Sequence, residues 1–212
     1  MENEFVITAI EQQKRKKDRY NIYTDGEYNC SLSAESIVVF GIKEGGAVGE
    51  DELIRAVKAD NTQYAFDSAV NLISYKMRSK KELRDKLAAK KIDEAAIESA
   101  IEKLENYGYV NDHTYAKEFV QSSITGGRYG SKVIEYKLKQ KGIDDDVIAY
   151  AMEEFVQEHE LVIAKQQLSA LKKKYSSLDK RKARQKIYAA LLRRGFGSDI
   201  ISTVLSGEED FE

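Results

Sequence analysis

One apolar pattern is written three times along this chain, and it narrows the possible folds more than any other feature. Leu83, Leu87, Ile92, Ile97 and Ile101 are answered 51 residues later by Ile134, Leu138, Ile143, Ile148 and Met152. A further 53 residues on stand Ile187, Leu191, Phe196, Ile201 and Leu205, and Lys141-Gly142-Ile143 is matched by Arg194-Gly195-Phe196. A period near fifty built from helical spacings predicts a row of small helical units, each burying its apolar face against neighbours. The expected fold is mainly α: three tandem three-helix repeats in an elongated, curved array, a form suited to a long partner.

Within each repeat the helix boundaries can be read from capping chemistry. Tyr64, Ala65, Ala69, Leu72, Ile73 and Met77 form a stripe at helical spacing, and Ser79-Lys80-Lys81-Glu82 is a capping box in front of Leu83 and Leu87. Asp93 is placed to cap a third helix carrying Ile97, Ala100, Ile101 and Leu104. The second copy offers Asp112 and Asp144 as caps, with Tyr115, Ala116, Phe119 and Val120 opening it. In the third, Ala164, Leu168 and Leu171 precede Ile187, Leu191 and Leu192, and Ser198 or Asp199 caps the last helix. No proline interrupts any of these segments. Tyr64, Tyr115 and Tyr136 fall on the stripes and are expected in the core.

Ahead of the repeats lies a β segment. Phe5 to Ile10 is rich in β-branched residues, and two further runs, Arg19 to Thr24 and Glu27 to Leu32, flank Asp25-Gly26. A two-residue Asp-Gly loop tolerates the positive φ angles of a type I′ turn, so a hairpin is predicted with Tyr28, Cys30 and Leu32 on its buried face. Ser33 caps a short helix stopped by Gly41, Gly45-Gly46 makes a turn, and another helix runs from about Gly49 to Ala59. The expected organisation is a small β-containing segment with short helices at 1–60, repeats at 61–110, 111–156 and 157–206, and an acidic tail at 207–212.

Charge is distributed unevenly. The chain as a whole is at −2, yet residues 158 to 206 hold 11 Lys or Arg against 4 Asp or Glu, a local balance of +7. The tail Gly207-Glu208-Glu209-Asp210-Phe211-Glu212 adds −4. A basic third module fits a polyanion or an acidic protein face, with the tail as a competitor for the same surface. No long apolar run or signal-peptide pattern is present, so a cytoplasmic protein without a membrane segment is expected. Cys30 is the single cysteine and is read as a small core residue. His113 and His159 lack partners at ligand spacing, and no nucleophile elbow, nucleotide fingerprint or paired-carboxylate set occurs, so neither metal, cofactor nor enzymatic activity is expected.

Arg78-Ser79-x-x-Glu82-Leu83-x-x-Lys86-Leu87, then Leu104-x-x-x-Gly108-Tyr109-Val110-Asn111-Asp112-x-x-Tyr115-Ala116, then Leu138-Lys139-x-Lys141-Gly142-Ile143 resemble, in this order, the RecX family of bacterial recombinase regulators. The resemblance runs from about Asn61 to Ser206, and the β segment is similar to the N-terminal extension of longer members. It implies a three-repeat helical modulator of RecA that lies in the groove of the RecA filament on DNA. Such a protein inhibits ATP hydrolysis, strand exchange and co-protease activity, which ties it to DNA repair, recombination and the SOS response. It also implies DNA binding, single- or double-stranded. A monomer is expected. The alternatives are a DNA-binding helical repeat protein acting without RecA, and a scaffold for another protein partner.

The candidate contact residues are basic positions beside the repeated apolar stripes: Arg78, Lys81 and Arg84 in the first repeat, Arg128 and Lys132 in the second, Arg181, Arg184, Arg193 and Arg194 in the third. Arginine forks match carboxylate and phosphate alike. Tyr129 joins them as a stacking group, because the loop 124–131 holds Gly126, Gly127 and Gly130, which permit close approach of a partner or simply a flexible connection.

Overall fold

The structure, a computed structural model, describes residues 4–206; the acidic tail lies outside the described residues. The described residues are mainly helical, with one small antiparallel sheet at the N-terminal end. They divide into two compact units, one formed by residues up to 76 together with 83–109, the other by 77–82 together with 110 onward.

The first unit begins with β1 (Glu4–Gln12), β2 (Arg19–Thr24), β3 (Glu27–Ser33) and, after α1 (Ala34–Val39), the short β4 (Ala47–Gly49), in the order β3-β2-β1-β4. The Asp-Gly hairpin forms as the sequence predicts: Thr24 pairs with Glu27, and Asp25 and Gly26 take φ of 52° and 88°. Its buried face is shorter than the alternation implies. Ile22 pairs with Cys30 but Tyr23 pairs with Tyr28, so Asn29 is an extra residue that reverses the alternation beyond it. Leu32 is buried, Cys30 half-buried, and Tyr28 is exposed, its ring edge-on to Tyr23 at 6.0 Å. Ile7, Ile22, Leu32 and Val48 pack with Ile42, Leu53 and Ala56. Burial, and then the charge of Asp60, push the Cys30 thiol up to about 11, which suits a packing residue rather than a nucleophile.

The two helices expected to meet near residue 60 are one, α2 (Glu50–Tyr75). Neither glycine nor proline occurs inside it, and Asp60, which reads as a break, is held within the helix by the sheet. Its carboxylate accepts from the Ser33 N–H and the Ser36 hydroxyl, both at 2.8 Å, and meets the Arg19 guanidinium at 2.9 Å. Ser33 also caps α1 through the Ser36 N–H. The second half of α2 lies against α4 (Glu94–Asn106) through Ala65, Ala96 and Ala100, small side chains that let the two backbones come close. Asp93 caps α4 through the Ala95 and Ala96 N–H groups. Between them α3 (Lys80–Ala88) buries Leu83 and Leu87.

The second unit carries α5 (Asp112–Gly126), α6 (Ser131–Gln140), α7 (Asp145–Met152), α8 (Gln157–Lys174), α9 (Lys180–Arg193) and α10 (Ser198–Ser206). Ile134, Leu138, Ile148, Ile187, Leu191, Phe196, Ile201 and Leu205 share one core. Of the fifteen repeated apolar positions only Ile92 and Met152 are not fully buried, so the threefold pattern does report the core. Several local expectations are met only in part or not at all. Asn111, not Asp112, caps α5 by accepting from the Thr114 N–H at 3.0 Å, which releases Asp112 to accept from the Lys80 N–H. Asp144 is the N-cap residue of α7, as expected, though without a side-chain capping bond, and Gly197 takes the place before α10. Tyr136 faces away from Ile134 and Leu138 and is exposed; Tyr64 is also exposed, beneath Lys16 and Arg19, leaving Tyr115 as the one buried tyrosine of the three. Leu192 stands 48% exposed on the outer side of α9.

Among the described residues no helix is long and apolar enough to cross a membrane.

Candidate partner interface

Some of the repeated basic residues, Arg78, Lys81, Arg128, Lys132 and Arg194, lie at or beside a joint that the second unit makes twice. In the first, the Ser79 hydroxyl accepts from the Glu82 N–H at 3.2 Å, the Ser79 N–H donates to the Glu82 carboxylate at 3.3 Å, and the hydroxyl then donates to the Lys141 carbonyl at 2.7 Å. The capping box therefore does more than start a helix: it grips the end of α6. Lys141 returns an ion pair to Glu82, and the stem of Lys81 lies over Gly142, where a Cβ would be 2.6 Å from the Lys81 Cδ.

The second joint has the same plan in different chemistry. Gly130 occupies the place of Ser79, and its N–H donates to the Arg194 carbonyl at 2.9 Å, while the Lys132 N–H donates to the Gly195 carbonyl at 3.2 Å. Glu160, buried on α8, accepts from the Ser131 N–H and hydroxyl at 2.9 and 3.1 Å. Gln167 ties the two sides by donating to the Gly127 carbonyl at 2.6 Å and accepting from Arg194 Nη1 at 2.5 Å. No spacing rule in the sequence points to Glu160 or Gln167. The glycines of the 124–131 loop are thus largely accounted for by packing: Gly127 ends α5 in the left-handed region, and Gly130 is buried against Gly195.

Electrostatics favour a charged Glu82. Burial alone would raise its carboxyl, but hydrogen bonds from Lys141, the Ser79 N–H and Tyr115, with the Lys141 charge, hold it below the usual glutamate range. The same neighbourhood, burial first and Glu82 second, pushes the Tyr115 hydroxyl up to about 12. A depressed carboxyl contributes stability above its unfolded pKa and loses it as pH falls through the folded value. Lys141→Met is therefore expected to cost about 1 kcal/mol at neutral pH, a modest figure because Lys141 is a third exposed. In thermal melts the gap to the parent protein should close on acidification; a gap independent of pH would contradict this role for the pair.

The candidate residues differ in exposure and in their place on the fold. Lys81 and Lys132 stand at equivalent, exposed places on the two joints, with Arg78 half-buried beside the first and Arg128 exposed near the second. Arg193 is exposed at the end of α9, and Arg181 and Arg184 are exposed at its start. Arg194 is engaged with Gln167 inside the joint. Arg84 belongs to the first unit and forms a two-bond fork with Glu98 at 2.5 and 2.7 Å. Tyr129 packs partly buried on the second unit's core with Lys137 over its ring at 4.5 Å, so its face is already occupied.

Family profiles match the chain from end to end in the described order. They are the regulatory protein RecX N-terminal domain at residues 5–49 and the first, second and third RecX three-helix domains at 65–104, 111–152 and 158–205. The regulatory protein RecX of Clostridium botulinum is 36% identical over 210 residues, 97% of both chains. That of Bacillus subtilis is 33% identical over 199 residues, 94% of this chain and 75% of the relative. A crystal structure of regulatory protein RecX superposes with a TM-score of 0.71 at 29% identity, covering 95% of this chain and 99% of the other. RecX from Lactobacillus salivarius gives 0.64 at 32% identity over 70% of this chain and 97% of its own. With every module matched in order and relatives this similar along nearly the full length, the chain belongs to the RecX family of regulatory proteins.

Proposed function

We propose that this protein is a regulator of RecA that binds in the groove of the RecA–DNA filament as a cytoplasmic monomer. It lowers ATP hydrolysis, strand exchange and co-protease activity by occupying that groove, and so modulates recombination, DNA repair and the SOS response. The observation that carries this reading is the joint built twice, each copy with an exposed lysine at the equivalent place, Lys81 and Lys132. A surface that repeats suits a partner that repeats, since each further contact is made at high effective concentration once the first has formed. The contacts are Arg78, Lys81, Arg128 and Lys132 at the joints with Arg181, Arg184 and Arg193 on α9; Arg84, Arg194 and Tyr129 support the fold beside them. No bond-making step is asked of any residue.

Arg128→Glu combined with Lys132→Glu is the test at the second joint, because both side chains are exposed and only the Lys132 backbone serves the fold. Inhibition of RecA should weaken by about tenfold, the size of effect expected for reversing two charges that meet an acidic surface, with helicity unchanged by circular dichroism. Full inhibition by the folded variant would remove these positions from the interface. DNA binding without RecA is the second reading, favoured by α9, which has six Lys or Arg and no carboxylate. It predicts that excess competing DNA abolishes inhibition, with a steep salt dependence.

A further inference from the structure

Helix α9 presents a second feature besides its charge. Its buried side is formed by Ala183, Ile187, Ala190 and Leu191. On the opposite side Arg181, Arg184, Gln185, Tyr188 and Leu192 fall on one line at helical spacing, and all five are exposed. Arg181, Arg184, Gln185 and Tyr188 line a shallow, open depression on this side. Tyr188 is 37% exposed and Leu192 48%, one turn apart, at the far end of the line from the arginines. Lysines at 182 and 186, with Arg193, form a separate basic edge beside it.

We propose that this line is a docking stripe for an acidic protein segment that also carries a large apolar side chain, and that RecA supplies the segment; the inference rests on the RecA reading above. Charge complementarity fixes one end of the occupant, because two exposed arginines a turn apart, Arg181 and Arg184, concentrate positive charge there and attract carboxylates. Exposed apolar groups fix the other. A phosphate backbone gains nothing from Leu192, which neither stacks nor donates, whereas an apolar side chain seated on Tyr188 and Leu192 removes both from water. From Arg184 to Leu192 the helix rises about 12 Å, so the occupant holds its carboxylates and its apolar anchor about that far apart. Nucleic acid on the same line would engage the arginines and leave the Leu192 end unused.

The experiment uses the full chain with RecA assembled on DNA, and separately with an oligothymidylate alone. Tyr188→Ala with Leu192→Ala should weaken association with RecA about tenfold, in the range of apolar anchors at interfaces, and leave oligothymidylate binding as it was. Arg181→Ala with Arg184→Ala, a second pair on the same exposed side, should weaken RecA association and flatten its salt dependence. Loss of oligothymidylate binding in the Tyr188 and Leu192 variant, with RecA association intact, would assign the line to nucleic acid and overturn the proposal. Unchanged association with RecA in both folded variants would overturn it while leaving the wider RecA reading standing. Failure of the parent protein to associate with RecA at all would overturn that reading, and this inference with it.

Discussion

Gly195→Ala is expected to destabilise the second unit by about 3 kcal/mol or more, enough to unfold it at moderate temperature. Two costs coincide at this residue. Its φ of +88° lies where side chains other than glycine are strained, and a Cβ would stand 2.5 Å from the Val133 nitrogen and 2.7 Å from Val133 Cγ2. The backbone has nowhere to retreat, because the Gly195 carbonyl accepts from Lys132 and the neighbouring Arg194 carbonyl accepts from Gly130. Gly26 supplies the control: it has the same φ of +88°, but nothing lies within 4 Å of a Cβ there. Gly26→Ala should cost only the backbone strain, about 1 kcal/mol. Urea unfolding of the two variants separates the effects, and equal midpoints would mean that the joint is looser than its geometry.

Asp60→Ala carries the second large effect, about 3 kcal/mol in the first unit, the cost of removing one partner from a buried ion pair. The substitution leaves the Arg19 guanidinium, 13% exposed, without its counter-charge and strips the acceptor from the Ser33 N–H and the Ser36 hydroxyl. Burial alone would raise the Asp60 carboxyl, but the hydrogen bonds from Ser33 and Ser36 and the Arg19 charge outweigh it and hold the carboxyl below the usual aspartate range. Its stabilising contribution is therefore complete above the ordinary aspartate pKa and is lost as pH falls through the lower folded value. Hydrogen exchange should show β2, β3 and α1 losing protection in the variant at neutral pH and in the parent protein under acid. Protection of these elements that is unaffected by Asp60→Ala would show that the sheet does not depend on this anchor.

These two positions also mark where the sequence stops being legible. The threefold apolar pattern could be read because burial is its own signal: Leu83, Ile134 and Ile187 are fully buried, and so are their partners Leu87, Leu138 and Leu191. The Asp25-Gly26 hairpin and the Ser79 box could be read because their chemistry is local. Asp60 could not, since its three partners, Arg19, Ser33 and Ser36, come from 24 or more positions earlier, and a carboxylate between two apolar stripes looks like a helix break. Asn29 shifts the alternation in β3 without any signature of its own. The glycines of the 124–131 loop resemble a flexible or ligand-approaching segment until Gly130 is seen against Gly195. Among the candidate contacts, charge alone could not separate Lys132 from Arg84, whose fork is held by Glu98, or from Arg194, which donates to Gln167 inside the joint. Leu192 was hidden for the opposite reason, because an apolar residue beside a core stripe reads as core.

Groove binding is tested most simply by DNA-dependent ATP hydrolysis by RecA with this protein present well below the RecA concentration. Occupancy of the filament groove predicts strong suppression at that ratio, retained when excess DNA is added as a competitor. Hydrolysis that continues unabated, or suppression that vanishes with the competing DNA, would contradict it.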